Sequence, residues 1–223
     1  MEESHMKTNK TELVFLLDRS GSMAGLEEDT IGGYNSMLKK QKQEPGDVRV
    51  TTVLFDDKYE LLHDRLDIHT MAPITEHEYY VRGCTALLDA IGRTIRKIAN
   101  VQKHTEPEHR ADKVLFVITT DGMENASCEY SYRKVHDMIE REKTEFGWEF
   151  LFFGANIDAI AVANRFGIDA DRAVDYHADS VGTQLNYEVL SEAITQVRTC
   201  AAPLNASWKS RIEKDFRSRN ADR

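Results

Sequence analysis

The chain has 223 residues, of which 41% are hydrophobic and 30% charged, with a formal net charge of −9. This length suits a single α/β domain, and the composition is typical of a soluble protein with a hydrophobic core. The acidic balance argues against a nucleic-acid binder, which would present a basic face, and no apolar run approaches the roughly 20 residues that cross a bilayer.

The N-terminal segment is polar and contains no apolar signal-peptide region. We interpret residues 1–9 as a flexible N-terminus, with His5-Met6 as a trace of cloning before a native start at Met6. The three cysteines, Cys84, Cys128 and Cys200, are odd in number and far apart. They predict reduced thiols in a cytoplasmic protein, not a disulfide framework.

Short apolar runs alternate with amphipathic segments along the chain. The first run, residues 13–17, is continuously apolar and predicts a strand buried on both faces of a parallel sheet. The apolar pattern predicts further strands over residues 48–55, 59–66, 114–119, 148–153 and 173–176. Helical spacing predicts helices over residues 31–43, 88–98, 132–139, 160–166 and 190–201.

The second and third predicted strands are separated only by Asp56-Asp57-Lys58. A crossover to a parallel neighbour needs about a dozen residues, so these strands predict an antiparallel hairpin whose turn holds the two aspartates. The remaining strands alternate with helices. The predicted fold class is therefore α/β: a doubly wound, Rossmann-like, mostly parallel sheet of about six strands, one of them antiparallel, flanked by helices.

One domain is expected over residues 10–201, followed by a C-terminal tail or helix over residues 202–223. The segment from Trp208 onward is locally basic. We interpret it as a solvated or frayed end.

Oxygen-bearing side chains gather where predicted strands end. Asp18, Ser20 and Ser22 follow the first strand, Asp121 follows the strand over residues 114–119, and Thr85 precedes the helix over residues 88–98. In an open α/β sheet, ligands bind outside the carboxyl ends of the strands, so these five side chains could meet at one edge.

An all-oxygen set selects hard cations: Mg²⁺, with Mn²⁺ or Ca²⁺ accepting similar ligands. The absence of histidine and cysteine from the set argues against zinc. The spacing Asp18-x-Ser20-x-Ser22 predicts an extended turn on which alternate side chains point the same way. Gly21 is expected to permit a tight backbone there.

Three segments together resemble the metal-ion-dependent adhesion site of von Willebrand factor A domains. They are Leu17-Asp18-Arg19-Ser20-Gly21-Ser22-Met23, Gly83-Cys84-Thr85-Ala86-Leu87-Leu88-Asp89 and Ile118-Thr119-Thr120-Asp121-Gly122. They look like the bacterial branch of that family, and the resemblance covers about residues 10–200.

The resemblance implies one divalent cation, most simply Mg²⁺, at the top of the sheet. Ser20 and Ser22 would ligate it directly, Thr85 directly or through water, and Asp18 and Asp121 mainly through water and hydrogen bonds. A protein partner, not identified by the sequence, would complete the coordination with an Asp or Glu. The implied function is metal-dependent protein binding, not catalysis, and the oligomeric state stays open.

Plainer interpretations exist for each residue taken alone. Aspartate, serine and threonine at strand ends cap helices and turns, and a metal could serve stability only. A hydrolase is disfavoured, because Ser20 stands where an aspartyl phosphotransferase would carry its second acid, and no G-x-S-x-G elbow occurs. Cys84, where the family often has glycine, is expected to pack in the interior. Asp89 either supports the site or lies on the helix surface.

Overall fold

The computed structural model describes residues 9–221, so the interpretation of residues 1–8 lies outside the described part. The strands are β1 (Thr11–Asp18), β2 (Val48–Phe55), β3 (Tyr59–Asp67), β4 (Lys113–Thr120), β5 (Glu149–Ala155) and β6 (Ala173–Tyr176). The helices are α1 (Glu27–Gln41), α2 (Leu87–His104), α3 (Tyr132–Phe146), α4 (Ala159–Arg165), α5 (Ser180–Thr199) and α6 (Ser210–Ala221).

The six strands form one sheet in the order β3-β2-β1-β4-β5-β6. All neighbours are parallel except β2 and β3, which pair antiparallel through the predicted hairpin. The predicted fold class is confirmed. Strand order reverses at β1, so the crevice between β1 and β4 is where an open sheet of this kind binds ligands.

Two apolar layers cover the sheet, because alternate residues of each buried strand face opposite sides. On one face, Leu13, Phe15 and Leu17 pack against α1 and α5. On the other, Val14 and Leu16 pack against α2, α3 and α4. Every residue of β1 is buried, as its continuous apolar run predicts.

The last two helices differ from the sequence prediction. α5 begins at Ser180, ten residues before the predicted start, where the carboxylate of Asp179 caps the helix by accepting from the Gly182 N–H at 2.8 Å. The apolar spacing did not indicate this first half because many of its residues are polar. The segment from Trp208 is not a frayed end. Trp208 Nε1 donates to the Asp171 carbonyl at 2.8 Å, and Ile212 of α6 is buried.

Within residues 9–221, no helix combines the length and the apolar character needed to cross a membrane. The three cysteines are free and exposed.

Candidate metal centre

The candidate site lies at the carboxyl edge of two neighbouring parallel strands. Asp18 is the last residue of β1, and Asp121 directly follows β4. These strands pair in parallel, with Leu17 opposite Thr119, so both carboxylates reach the same edge. Both residues are buried, with 1% and 3% of their surfaces exposed.

Three hydroxyls meet beside the two carboxylates. Ser20 Oγ lies 3.1 Å from Ser22 Oγ and accepts a hydrogen bond from Thr85 Oγ1 at 2.9 Å. A Cβ built on Gly122 would lie 2.9 Å from Ser22 Oγ and 3.1 Å from Thr85 Oγ1, so the residue after Asp121 borders the same hydroxyls. The structure thus brings together all five residues that the sequence singled out.

The loop after β1 is not the predicted extended turn. Ser20 is extended, with φ −65° and ψ 167°, but Gly21–Met23 form a single 3₁₀ turn. That turn, not strand-like alternation, carries Ser22 back to Ser20. The role expected for Gly21 is also wrong, because a Cβ there would meet only the Gly83 carbonyl, at an ordinary contact distance of 3.5 Å.

Glycine is required instead at position 83, in the loop that carries Thr85. Gly83 has a φ of +67°, and a Cβ on it would lie 2.2 Å from Asp57 Oδ1. Its carbonyl accepts from the Gly21 N–H at 3.1 Å, which ties the two hydroxyl-bearing loops together. Asn125 Oδ1 then holds Thr85 by accepting from its N–H at 2.9 Å.

Two neighbours of the site differ from expectation. Cys84 is exposed, so the expected packing role is wrong. Asp89 is not a surface residue either. Its carboxylate accepts from the N–H groups of Cys128, Glu129 and Tyr130, each at 2.9 Å, and so fixes the far end of the loop that Asp121 begins.

The two carboxylates are held by hydrogen bonds from neutral groups. Asp18 accepts from the Ser20 N–H at 2.7 Å and from Thr120 Oγ1 at 2.5 Å. Burial raises the pKa of Asp18 to about 6, and the negative charge of Asp121 adds to the shift while these hydrogen bonds oppose it. Burial also raises the pKa of Asp121, opposed by the Ser22 hydroxyl.

These residues fit a hard divalent cation. Asp121 Oδ1 is buried without a hydrogen-bond partner among residues 9–221, and a buried carboxylate oxygen needs a partner or a cation. Within residues 9–221 neither carboxylate forms an ion pair, and Arg19, which neighbours Asp18 in the sequence, pairs with Asp56 and Glu60. The five donors are all oxygens, and no group of three or more His, Cys, Asp or Glu side chains there could hold a metal by itself.

Sequence reasoning missed a charged cluster next to the site. Asp56 closes the hairpin turn as expected, accepting from the Lys58 N–H at 2.6 Å. It also pairs with Arg19 and Arg82. Desolvation opposes ionisation of Asp56, yet the hydrogen bonds from Arg82, Lys58 and Arg19 outweigh it and hold its pKa below the usual value. The sequence feature that could have indicated this cluster is Arg19, a charged residue between the candidate ligands Asp18 and Ser20.

Solved structures similar to this chain include several von Willebrand factor A domains. Proximal thread matrix protein 1 from the mussel byssus, with a zinc-occupied MIDAS motif, superimposes with a TM-score of 0.57 at 13% identity over 85% of this chain and 46% of that one. Manganese-loaded TRAP protein of Plasmodium vivax gives 0.62 at 16% identity, covering 87% and 76%. The vWF domain of the pilus tip protein Mfa5 of Porphyromonas gingivalis gives 0.57 at 10%, covering 88% and 98%.

These similarities show that the chain has the fold of a von Willebrand factor A domain. No family model matches the sequence, and neither does any curated protein. The chain spans less than half the length of the mussel protein. Identities this low show the fold alone, so the five-residue adhesion site stays a prediction that rests on the residues themselves.

Proposed function

We propose that this chain is a divalent-cation-dependent protein-binding module, whose site is completed by an Asp or Glu of a partner. The observation that carries the proposal is the convergence of Asp18, Ser20, Ser22, Thr85 and Asp121 at the crevice between β1 and β4, with a buried carboxylate oxygen of Asp121 unpartnered.

The hydroxyls would hold the ion and the carboxylates would balance its charge. Mg²⁺ is the ion that we propose, with Mn²⁺ or Ca²⁺ as substitutes, because its preferred ligands are oxygens and it retains water. An ion held directly by neutral hydroxyls keeps the charge to bind a partner's carboxylate. Ser22 is exposed, whereas the other four residues are buried. The site therefore opens to the outside at Ser22, which favours partner binding over a closed, purely structural metal.

The nature of the donors also supports a binding role over catalysis. The five donors are carboxylates and hydroxyls, and none of them is a histidine, lysine or cysteine. The free, exposed cysteines favour a reducing compartment. Together with the resemblance of the three motifs, they lead us to propose the bacterial cytoplasm.

The first test is calorimetric titration of Mg²⁺ and Mn²⁺ into the wild type, Asp18→Ala and Asp121→Ala. Asp137→Ala is the matched control, because this carboxylate is exposed on α3. We expect one cation per chain, lost in both site variants and unchanged in the control. Equal binding by all four proteins would refute the site.

The second test addresses the partner's carboxylate. The Mn²⁺-loaded protein is titrated with the peptides Gly-Asp-Gly and Gly-Asn-Gly, both N-acetylated and C-terminally amidated so that only the aspartate supplies a carboxylate, while water proton relaxation reports the waters bound to Mn²⁺. We expect relaxation enhancement to fall with the acidic peptide only. Cation binding without any peptide effect would leave the structural role as the better explanation.

A further inference from the structure

A group of four charged side chains, two of them buried, lies beside the candidate metal centre. Arg19 and Asp56 are fully buried, and Arg19 Nε donates to Asp56 Oδ2 at 2.9 Å. Arg19 Nη2 donates to Glu60 Oε2 at 2.7 Å, and Arg82 Nε donates to the same Asp56 oxygen at 2.6 Å. We call Arg19, Asp56, Glu60 and Arg82 the Asp56 cluster.

This cluster touches both hydroxyl-bearing loops at once. Arg19 stands between Asp18 and Ser20, and its carbonyl accepts from the Arg82 N–H at 2.8 Å. The Asp56 carbonyl accepts from the Ala86 N–H at 2.8 Å, on the other side of Thr85. Through its carboxylate and its carbonyl, Asp56 therefore fixes the loop with the two serines relative to the loop with the threonine.

Tyr80 completes the connection between these loops. Its ring lies 5.4 Å from the Arg19 guanidinium carbon and 5.3 Å from that of Arg82. Both cations thus lie against the same aromatic ring. The Tyr79 hydroxyl adds a further tie by donating to the Asp18 carbonyl at 2.5 Å.

Stability alone does not explain the cluster. A fully buried ion pair pays a desolvation penalty that its attraction often fails to recover, and apolar residues of similar volume commonly serve the fold as well or better. Arg19 Nη1 is in addition buried without a partner among residues 9–221. An arrangement that apolar residues could replace in the fold, and that joins the two loops of the site, is better explained by the geometry that it imposes.

The orientation of the Arg19 side chain also supports a role in fixing the geometry of the loops. This arginine neighbours Asp18 in the sequence, yet its guanidinium pairs with Asp56 and Glu60 and not with Asp18 or Asp121. The positive charges of the cluster's two guanidinium groups balance the negative charges of its two carboxylates, so the cluster adds no net charge beside the candidate cation.

We propose that Arg19, Asp56 and Arg82 are positioning residues for the metal centre. They hold the hydroxyls of Ser20 and Thr85 at the separation that a cation requires, without contacting the cation. The part of this inference that concerns the cation rests on the proposed function, whereas the part that concerns loop geometry does not.

The test compares the wild type with Arg19→Met, Asp56→Asn and the double variant. Glu12→Gln is the control, because Glu12 is the buried carboxylate of an ion pair at the opposite end of the sheet. Two quantities are measured: hydrogen exchange of the Gly21, Arg82 and Ala86 amides without metal, and Mn²⁺ affinity. Arg82→Met, at a partly exposed position, serves as a milder variant should the others unfold.

In both single variants we expect exchange at the three amides to accelerate about tenfold, while β1 and β4 stay protected. Mn²⁺ affinity should fall about tenfold or more in each, as is usual when groups behind metal ligands are removed. The double variant should bind no more weakly than the weaker single variant, because both changes break one network. The control should match the wild type.

Charge alone would act differently from positioning. Losing Arg19 removes a positive charge, whereas Asp56→Asn removes a negative one. Opposite shifts in Mn²⁺ affinity, or unchanged exchange at Gly21 and Arg82, would overturn the proposal. A wild type that binds no Mn²⁺, with accelerated exchange in the variants, would refute the proposed cation and leave the positioning of the loops supported.

Discussion

The two ends of the central sheet both bury carboxylates, but they neutralise them differently. At the amino end, Glu12 is fully buried and accepts from Arg65 Nε at 2.8 Å. At the carboxyl end, Asp18 accepts only from neutral donors, and Asp121 Oδ1 has no hydrogen-bond partner among residues 9–221. This part of the chain therefore supplies a cation to Glu12 but none to Asp18 and Asp121, although Arg19 neutralises Asp56 close by.

The residue that supplies the cation at the amino end also carries backbone strain. Arg65 has a φ of +50°, a left-handed conformation that is unfavourable for a side chain of this kind. At the carboxyl end a suitable arginine, Arg19, is already adjacent, yet it is paired elsewhere. The difference supports the proposal that Asp18 and Asp121 receive a cation from outside.

The strongest test of this difference is to give Asp18 and Asp121 a cationic side chain from the chain itself. Ser22→Lys, at the exposed position, should place an ammonium group beside the two carboxylates. Mn²⁺ affinity should fall by about 100-fold or more, and the metal-free protein should gain about 1 kcal/mol in free energy of unfolding from a charge-assisted hydrogen bond.

Ser22→Met is the control for Ser22→Lys, because it removes the hydroxyl without adding charge. It should weaken Mn²⁺ binding but give no gain in stability. Calorimetry and urea unfolding at pH 7 check both variants, and retained Mn²⁺ binding in Ser22→Lys would contradict the location of the site.

The reverse change removes the cation from the amino end. Arg65→Ala leaves Glu12 buried without its charged partner and should cost about 2 kcal/mol in free energy of unfolding, less than for a fully buried pair because Arg65 is partly exposed. Arg65→Gly should cost about 1 kcal/mol less than Arg65→Ala, since glycine tolerates the positive φ. Urea unfolding measures both, and Mn²⁺ affinity should not change.

The cost of Arg65→Ala should also depend on pH. Burial already raises the pKa of Glu12 in the folded protein, against the effect of Arg65. A raised carboxyl pKa means that ionisation disfavours the folded state, so stability falls as pH rises from the unfolded value through the folded one. The destabilisation should be greatest at neutral pH and smallest in acid; a cost independent of pH would contradict this account of the amino end.

Cation binding at the carboxyl end should weaken in mild acid. The Asp18 pKa of about 6 means that a cation must displace a proton below that pH. Mn²⁺ affinity should then fall by up to about tenfold for each pH unit below 6, and stay nearly constant above 7. Calorimetry at pH 5, 6, 7 and 8 measures this, and an affinity that does not vary across the series would count against Asp18.

The smallest expected effect separates two glycines of the site. A Cβ on Gly122 would press on the hydroxyls of Ser22 and Thr85, so Gly122→Ala should weaken Mn²⁺ binding by about fivefold, or roughly 1 kcal/mol. Gly21→Ala meets no such contact and should leave the affinity unchanged. Equal effects of the two substitutions would show that the hydroxyls are placed differently.

Much of the fold followed from local patterns. Continuous apolar runs predict strands such as β1 and β4, because a central parallel strand is buried on both faces. The short Asp56-Asp57-Lys58 connection predicts the antiparallel hairpin, because so few residues cannot cross the sheet. The five oxygen-bearing residues could be predicted because the carboxyl ends of parallel strands lie at one edge of the sheet, which is where ligands bind in such folds.

Other features depend on partners far away in the sequence. Helix α6 forms in a segment with few apolar residues, because Trp208 and Ile212 pack on the body of the domain. The 3₁₀ turn that places Ser22, and the exposure of Cys84, depend on how two separate loops meet. None of these leaves a periodic signal in the segment itself.

Sequence patterns alone established the class of sheet, which depends on apolar runs and on the lengths of their connections. They also established the chemistry of the candidate site, which depends on the residue types near the strand ends. The pairing of the charged side chains depends instead on the tertiary structure. Arg19 neighbours Asp18, yet pairs with Asp56, 37 positions along the chain. A long charged side chain selects its partner by distance and desolvation in the folded protein, and adjacency in the sequence fixes neither.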